Sequence, residues 1–255
     1  MSPRPACYTR RVLVLAVDTS TAIASVVLTQ GGEVRAELAA RVSAKHGETL
    51  LPDVARVLEE AGVGIAEIGL LAVGLGPGSF TGVRIALATM KGLALARRTP
   101  LVGVCSLRVL ALGAEPGARV VVPLIDAHKR EVYGAAYAAD ASGALHELLA
   151  PFHALSESAA ERLIDALRGD SRALVLVGDA PPALREPIIA ALTAAGHTVV
   201  AGPEGADFPR AAALAAEAER LYLERGGDAL GALEPLYVRA PDITMPAPSV
   251  APQVR

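Results

Sequence analysis

An α/β fold in two lobes is what the sequence predicts, on three observations. The unbroken apolar run VLVLAV at 12–17 opens a succession of three strands, the apolar spacing changes from strand to helix period at Gly47, and the strand pattern begins again after Pro116-Gly117. The chain has 255 residues, enough for one large domain or two small lobes.

The elements follow in order. A run apolar on both faces suits a buried strand at Val12–Val17, which stops at Asp18. After the DTST turn, Ala22–Leu28 is a second strand. Gly31-Gly32 marks a hairpin into a third, where Val34, Ala36 and Leu38 alternate with Arg35 and Glu37. From Gly47 to Ala61, Leu50, Leu51, Val54, Val57 and Leu58 recur at helical spacing, with Pro52 in the first turn and Gly62 as a stop. Leu70–Leu75 is a buried strand, followed by the loop GPGSFTG and a helix Thr81–Arg97 that ends before Pro100. Leu101–Cys105 is a strand and Ser106–Gly113 a short helix. Strands Val120–Ile125 and Val132–Tyr137, joined by the turn HKRE, then start the second lobe. Helices at Ser156–Arg168, Pro182–Ala195 and Arg210–Glu224 alternate with strands Ala173–Val177 and Thr198–Val200. The expected units are therefore 1–115, a smaller 116–240, and a disordered tail 241–255 with several prolines.

Composition excludes several classes. Net charge −3 and pI near 6.0 give no electrostatic footprint for a polyanion, and basic residues are not interleaved with aromatics as in base-stacking binders. Two cysteines, Cys7 and Cys105, form neither a disulfide framework nor a metal set, which fits a reducing cytoplasm. No apolar stretch approaches the roughly 20 residues of a membrane span.

Three segments could carry chemistry. In GLGPGSFTG, the residues Gly76, Pro77, Gly78, Ser79, Thr81 and Gly82 lie between a strand and a helix N-terminus, where backbone amides can approach an anion. The spacing matches neither a dinucleotide fingerprint nor a Walker loop, so a tight capped turn is an equal alternative. Asp18, with Thr19 and Ser20, follows a buried strand and could hold a magnesium-bound nucleotide or act as a base; capping its own turn is the favoured reading. Asp126 and Glu131 flank the HKRE turn, where hairpin polarity accounts for them. His46 lacks an imidazole one turn on, since position 50 is Leu50, so no metal site is expected.

The helix at 81–97 is apolar almost all round, whereas a helix covering a sheet needs only one apolar face. Val83, Ala86, Leu87, Met90, Leu93 and Ala94 are expected to contribute to a partner interface, flanked by Leu50, Leu51, Val54, Val57 and Leu58. Complete burial within the chain is the alternative.

Four stretches, VLAVDTSTAIASVVL, SAKHGETLLPDVARVLEEAGV, AVGLGPGSFTGVRIALATMKGLALA with VGVCSL, and PLIDAHKREVYGAAY, together resemble the TsaB (YeaZ) family of tRNA threonylcarbamoyladenosine biosynthesis subunits. They cover about the first 137 residues; the C-terminal third matches only through helix content and the PLYVR segment at 235–239. The resemblance implies an actin/Hsp70-like (ASKHA) α/β fold of two lobes, each with a mixed sheet, the second lobe reduced. It implies a non-catalytic subunit that pairs through the two helices above, with itself or with the related TsaD. TsaD then carries the metal and transfers threonylcarbamoyl to the tRNA adenosine beside the anticodon. TsaE supplies ATPase activity, and a further enzyme makes the adenylate from threonine, bicarbonate and ATP. No cofactor is expected on this chain, and tRNA is reached only through the complex. The competing expectations are an ATP-binding enzyme acting through Asp18, GPGSFTG and Asp126, and a metallopeptidase-like hydrolase.

Overall fold

The computed structural model describes residues 12–41, 46–114, 117, 119–140 and 143–238, without the side chains of 46–48. Cys7 and the expected tail lie outside the described residues. Strands β1 (Leu13–Asp18), β2 (Ile23–Gln30) and β3 (Glu33–Arg41) form an antiparallel meander. Helix α1 (His46–Ala61) leads to β4 (Leu70–Gly74), and α2 (Phe80–Arg97) to β5 (Leu101–Val104), both strands running parallel to β1. The resulting sheet has the order β3-β2-β1-β4-β5.

After α3 (Ser106–Gly113) the same plan recurs. Strands β6 (Val120–Asp126), β7 (Glu131–Ala139) and β8 (Leu145–Leu155) meander; α4 (Ser156–Ala166), β9 (Leu174–Val177), α5 (Pro182–Ala194) and β10 (Val199–Ala201) follow. The second sheet reads β8-β7-β6-β9-β10, again antiparallel on one side of its first strand and parallel on the other. A doubly wound nucleotide fold would be parallel throughout. Duplicated mixed sheets flanked by helices are the actin/Hsp70-like architecture. The second copy is the smaller: α4 has 11 residues against 16 in α1, and α5 has 13 against 18 in α2.

Burial follows from strand alternation. In β1, Leu15 and Val17 point into one cluster with α1 and α2, while Val14 and Ala16 point to the other face. That second face is covered by α6 (Ala211–Arg225) through Ala211, Leu214, Ala215 and Ala218. In the second sheet, Val120, Val122 and Leu124 face α4 and α5, whereas Val121 and Ile125 face α3 through Leu107 and Leu110. Each lobe thus lends its last helix to the other. The unit expected over 116–240 therefore loses its end: α6 packs on the first sheet, Leu230 and Leu233 join the α1–α2 cluster, and Leu236 N–H donates to Leu75 O at 2.8 Å. Sequence patterning assigns those residues by chain order, which the exchange of helices overrides.

One ion cluster ties the exchange together. Glu217 on α6 is 4% exposed and accepts from Arg108 Nε on α3 at 2.7 Å and from Arg220 Nε at 2.8 Å. Arg108 Nη1 also donates to Leu145 O on β8 at 3.1 Å, joining both lobes. Burial alone would raise the Glu217 carboxyl, but the hydrogen bonds from Arg220 and Arg108 outweigh it and hold it below its ordinary value of 4.5. A carboxyl depressed by folding stabilises at neutral pH, and that stability is lost as pH falls below the ordinary carboxylate value and through the depressed folded one. Glu217→Gln is expected to cost about 2 kcal/mol in urea melts at pH 7 and progressively less toward pH 3. A difference independent of pH would mean the charge plays no part.

Candidate functional site

A cleft of about 590 Å³ opens between the lobes, lined by the 75–84 loop and α2 start, by Asp126, Ala127, His128 and Tyr133 of the second lobe, and by 235–238. The turn after β1 packs against the loop that lines it. Asp18 is fully buried, and its carboxylate accepts from Ser20 N–H at 2.8 Å, Ser20 Oγ at 2.6 Å and Ser106 Oγ at 2.7 Å. Burial pushes the Asp18 carboxyl up, against the lowering effect of those hydrogen bonds.

The glycines of the following loop are explained by close approach to that turn. A Cβ on Gly74 would lie 1.9 Å from Asp18 Oδ2, one on Gly78 2.0 Å from Ser20 O, and one on Gly82 2.2 Å from Thr19 O. Ser79 N–H donates to Ser20 O at 2.7 Å, Thr19 Oγ1 donates to Gly82 O at 2.8 Å, and Ser79 Oγ caps α2 by accepting from Gly82 N–H at 3.2 Å. The Gly76–Pro77 bond is cis. GPGSFTG forms a tight turn that caps α2 and packs on the Asp18–Ser20 segment, and its residues Gly76, Pro77, Gly78, Ser79 and Thr81 also line the cleft.

Across the cleft, Asp126 ends β6 as Asp18 ends β1. Its N–H donates to Asp179 Oδ1 at 3.1 Å, and its own Oδ1 accepts from His128 N–H at 2.7 Å. Burial raises the Asp179 carboxyl and the Asp126 charge adds to this, opposed by backbone hydrogen bonds from Asp126 and, across the lobes, Ala22. Asp179 is absent from the sequence reading; the signal was a Gly-Asp pair directly after β9, at the carboxyl end of a parallel strand. His128, Lys129 and Arg130 all adopt positive φ in the turn between β6 and β7.

The expected interface needs correction. Leu50, Val54, Val57, Leu58, Ala86, Leu87, Met90 and Ala94 are each at most 8% exposed and belong to the core between α1, α2 and the first sheet, while Val83, equally buried, lines the cleft. Leu93 is half-buried against the same cluster, and only Leu51, 56% exposed, faces outward. The physical reason is that α1 and the returning residues Leu230 and Leu233 help enclose this cluster, cover that the chain pattern does not reveal. What α2 leaves uncovered is a different stripe: Thr81, Arg84, Ala88, Gly92, Leu95 and Ala96, with Leu95 at 75% exposure. A Cβ on Gly92 would meet nothing within 4 Å, so this face is open.

At the cleft mouth, Arg84 Nε donates to Tyr237 Oη at 2.9 Å, and its guanidinium carbon lies 3.7 Å from the Phe80 ring centre. Tyr237 lies in the PLYVR segment, and the sequence pattern joins neither it nor Arg84 to the site. Among the described residues no group of three or more His, Cys, Asp or Glu is arranged to hold a metal, and no helix is long and apolar enough to cross a membrane. Leu50, where a second metal histidine would stand, is in the hydrophobic core.

A family model described as TsaD, tRNA N6-adenosine threonylcarbamoyltransferase, matches residues 21–161. The tRNA threonylcarbamoyladenosine biosynthesis protein TsaB of Escherichia coli K12 is 43% identical over 137 residues, covering 52% of this chain and 58% of that protein. The chain thus spans little more than half the length of this relative. The solved structure of YeaZ from Pseudomonas aeruginosa superposes with a TM-score of 0.74 and 30% identity, over 89% of this chain and 99% of that one. The ethanolamine utilization protein EutJ of Carboxydothermus hydrogenoformans shares the fold alone, with a TM-score of 0.52 and 14% identity over 83% of this chain and 91% of its own.

Proposed function

Because the chain belongs to the TsaB (YeaZ) family, we propose that it is a non-catalytic subunit of the machinery that forms N6-threonylcarbamoyladenosine in tRNA next to the anticodon. It acts in the cytoplasm by docking the exposed face of α1 and α2 onto the related catalytic subunit TsaD. TsaE and tRNA join through that complex, and a homodimer uses the same face when TsaD is absent. ATP, threonine and bicarbonate are consumed elsewhere in the pathway, and the metal resides in TsaD.

The observation that carries this reading is Asp18. In a two-lobed fold of this kind, a carboxylate ending the first strand is the natural ligand for a magnesium-bound nucleotide. Here both oxygens are occupied by donors from the same chain, and Gly74 is packed against them. A group so enclosed positions a turn and takes no proton from a substrate. The subunit's contribution is then differential contact: covering its helix face stabilises the active arrangement of the partner over the inactive one.

Calorimetry with Mg-ATP tests the non-catalytic part. The chain alone is expected to show no saturable heat at micromolar concentrations, whereas tight stoichiometric binding would favour an ATP-using enzyme. Stoichiometric zinc or iron in the purified chain would likewise favour a hydrolase.

A further inference from the structure

Three of the large apolar side chains exposed among the described residues meet at one place. Phe80 is 57% exposed, Tyr237 51% and Leu236 37%, and all three line the mouth of the interlobe cleft. The guanidinium of Arg84 stacks on the Phe80 ring at 3.7 Å and lies 5.7 Å from the Tyr237 ring, the two ring centres being 6.3 Å apart. Tyr237 Oη holds its Nε, and among the described residues its two terminal nitrogens have no hydrogen-bond partner and the group has no carboxylate partner. An arginine stacked and pinned in this way has already lost much of its side-chain freedom, so it can take a carboxylate in bidentate fashion at little further entropic cost.

Arg84 also belongs to the uncovered stripe of α2. Arg84, Ala88 and Leu95 stand at i, i+4 and i+11, on one side of the helix. The cleft mouth and the helix face are therefore continuous.

We propose that Phe80, Arg84, Leu236 and Tyr237 form a second docking surface for the catalytic partner, one that receives a segment of it bearing a carboxylate beside an apolar side chain. This inference rests on the helix-face docking of the proposed function and extends it by a charged anchor. The carboxylate engages Arg84, the apolar side chain enters the cleft mouth between Phe80 and Leu236, and Tyr237 is a positioning residue that orients the guanidinium. Aromatic and arginine anchors of this kind dominate interface energetics, while small residues such as Ala88 and Gly92 supply fit.

The test is calorimetric titration of the full-length chain with the TsaD of the same genome, at low and at high salt. Three variants are compared, Arg84→Glu, Tyr237→Phe and Leu95→Glu, with thermal melts as a check on folding. Arg84→Glu is expected to weaken binding at least about tenfold and Tyr237→Phe about threefold, and the salt dependence of the affinity should shrink in both. Exposure of both side chains leaves the melting temperature unchanged. Wild-type affinity and salt dependence in Arg84→Glu and Tyr237→Phe would overturn the inference, whatever Leu95→Glu does. If Leu95→Glu binds normally while Arg84→Glu does not, the cleft mouth stands and the helix-face reading falls.

Discussion

Ala86→Glu is expected to unfold the monomer, whereas Leu95→Glu, nine residues along the same helix, leaves it folded and removes its partner. Ala86 is 0% exposed and packed in the cluster that joins α1 and α2 to the first sheet. A glutamate there must either bury an unpaired charge or force the helix off the sheet, at a cost of about 4 kcal/mol or more. Total stability of a domain is only roughly 5–15 kcal/mol, so the variant should melt early or fail to accumulate. Leu95 is 75% exposed, and a surface change of this kind shifts stability by no more than about 0.5 kcal/mol. Placed in the middle of an apolar contact, the same carboxylate should weaken association at least about 30-fold. Circular-dichroism melts and sedimentation with TsaD measure the two effects separately. A folded Ala86→Glu protein would mean that α2 does not pack on the sheet as described.

The second large effect is Gly74→Ala, expected to cost about 3–5 kcal/mol. Its methyl would stand 1.9 Å from Asp18 Oδ2 and 2.5 Å from Asp18 Cγ, and the carboxyl has no room to retreat without abandoning Ser20 and Ser106. Asp18→Ala is itself destabilising, because three buried donors lose their acceptor. The two changes should not add: with the carboxyl gone, the Gly74 methyl fits the vacated space, and the cost of Gly74→Ala should fall to about 1 kcal/mol. Denaturant melts of the single and double variants give this coupling directly. Additive costs would show that Asp18 and Gly74 do not share the space described. If Asp18 were instead catalytic, Asp18→Asn would abolish a turnover of the isolated chain while leaving its stability nearly intact.

Much of the fold could be read from the residues. The buried run ending at Asp18, the Gly31-Gly32 hairpin and the helices on either side of GPGSFTG fall within a residue or two of their observed bounds. Strand β8 was missed. It is an edge strand, its outer residues are mostly exposed, Pro151 interrupts its donors, and register shifts opposite Gly134–Tyr137 break the alternation that marks a strand. The second lobe was legible where the strand pattern begins again after Pro116-Gly117, although no fixed-period repeat marks it; its local trace is the pairing of LAVD before one turn with PLID before another. The interface reading erred for a different reason. In a helix made largely of Ala, Gly and Leu, apolarity does not say which side is covered, and part of the covering chain arrives from residues 230–236, more than a hundred positions away. Asp18 was legible as the cap of its own turn because the Asp-Thr-Ser sequence carries that geometry locally, whereas the glycine spacing of GPGSFTG left a capped turn and anion binding equally open.

Threonylcarbamoyl incorporation into tRNA, reconstituted from purified components with and without this chain, tests the central claim most directly. The account predicts no incorporation by the chain alone, robust incorporation when it is added to TsaD and TsaE, and loss of that stimulation with Leu95→Glu at concentrations where it no longer binds. Incorporation catalysed by the chain alone, or full stimulation by a Leu95→Glu protein that cannot associate, would contradict it.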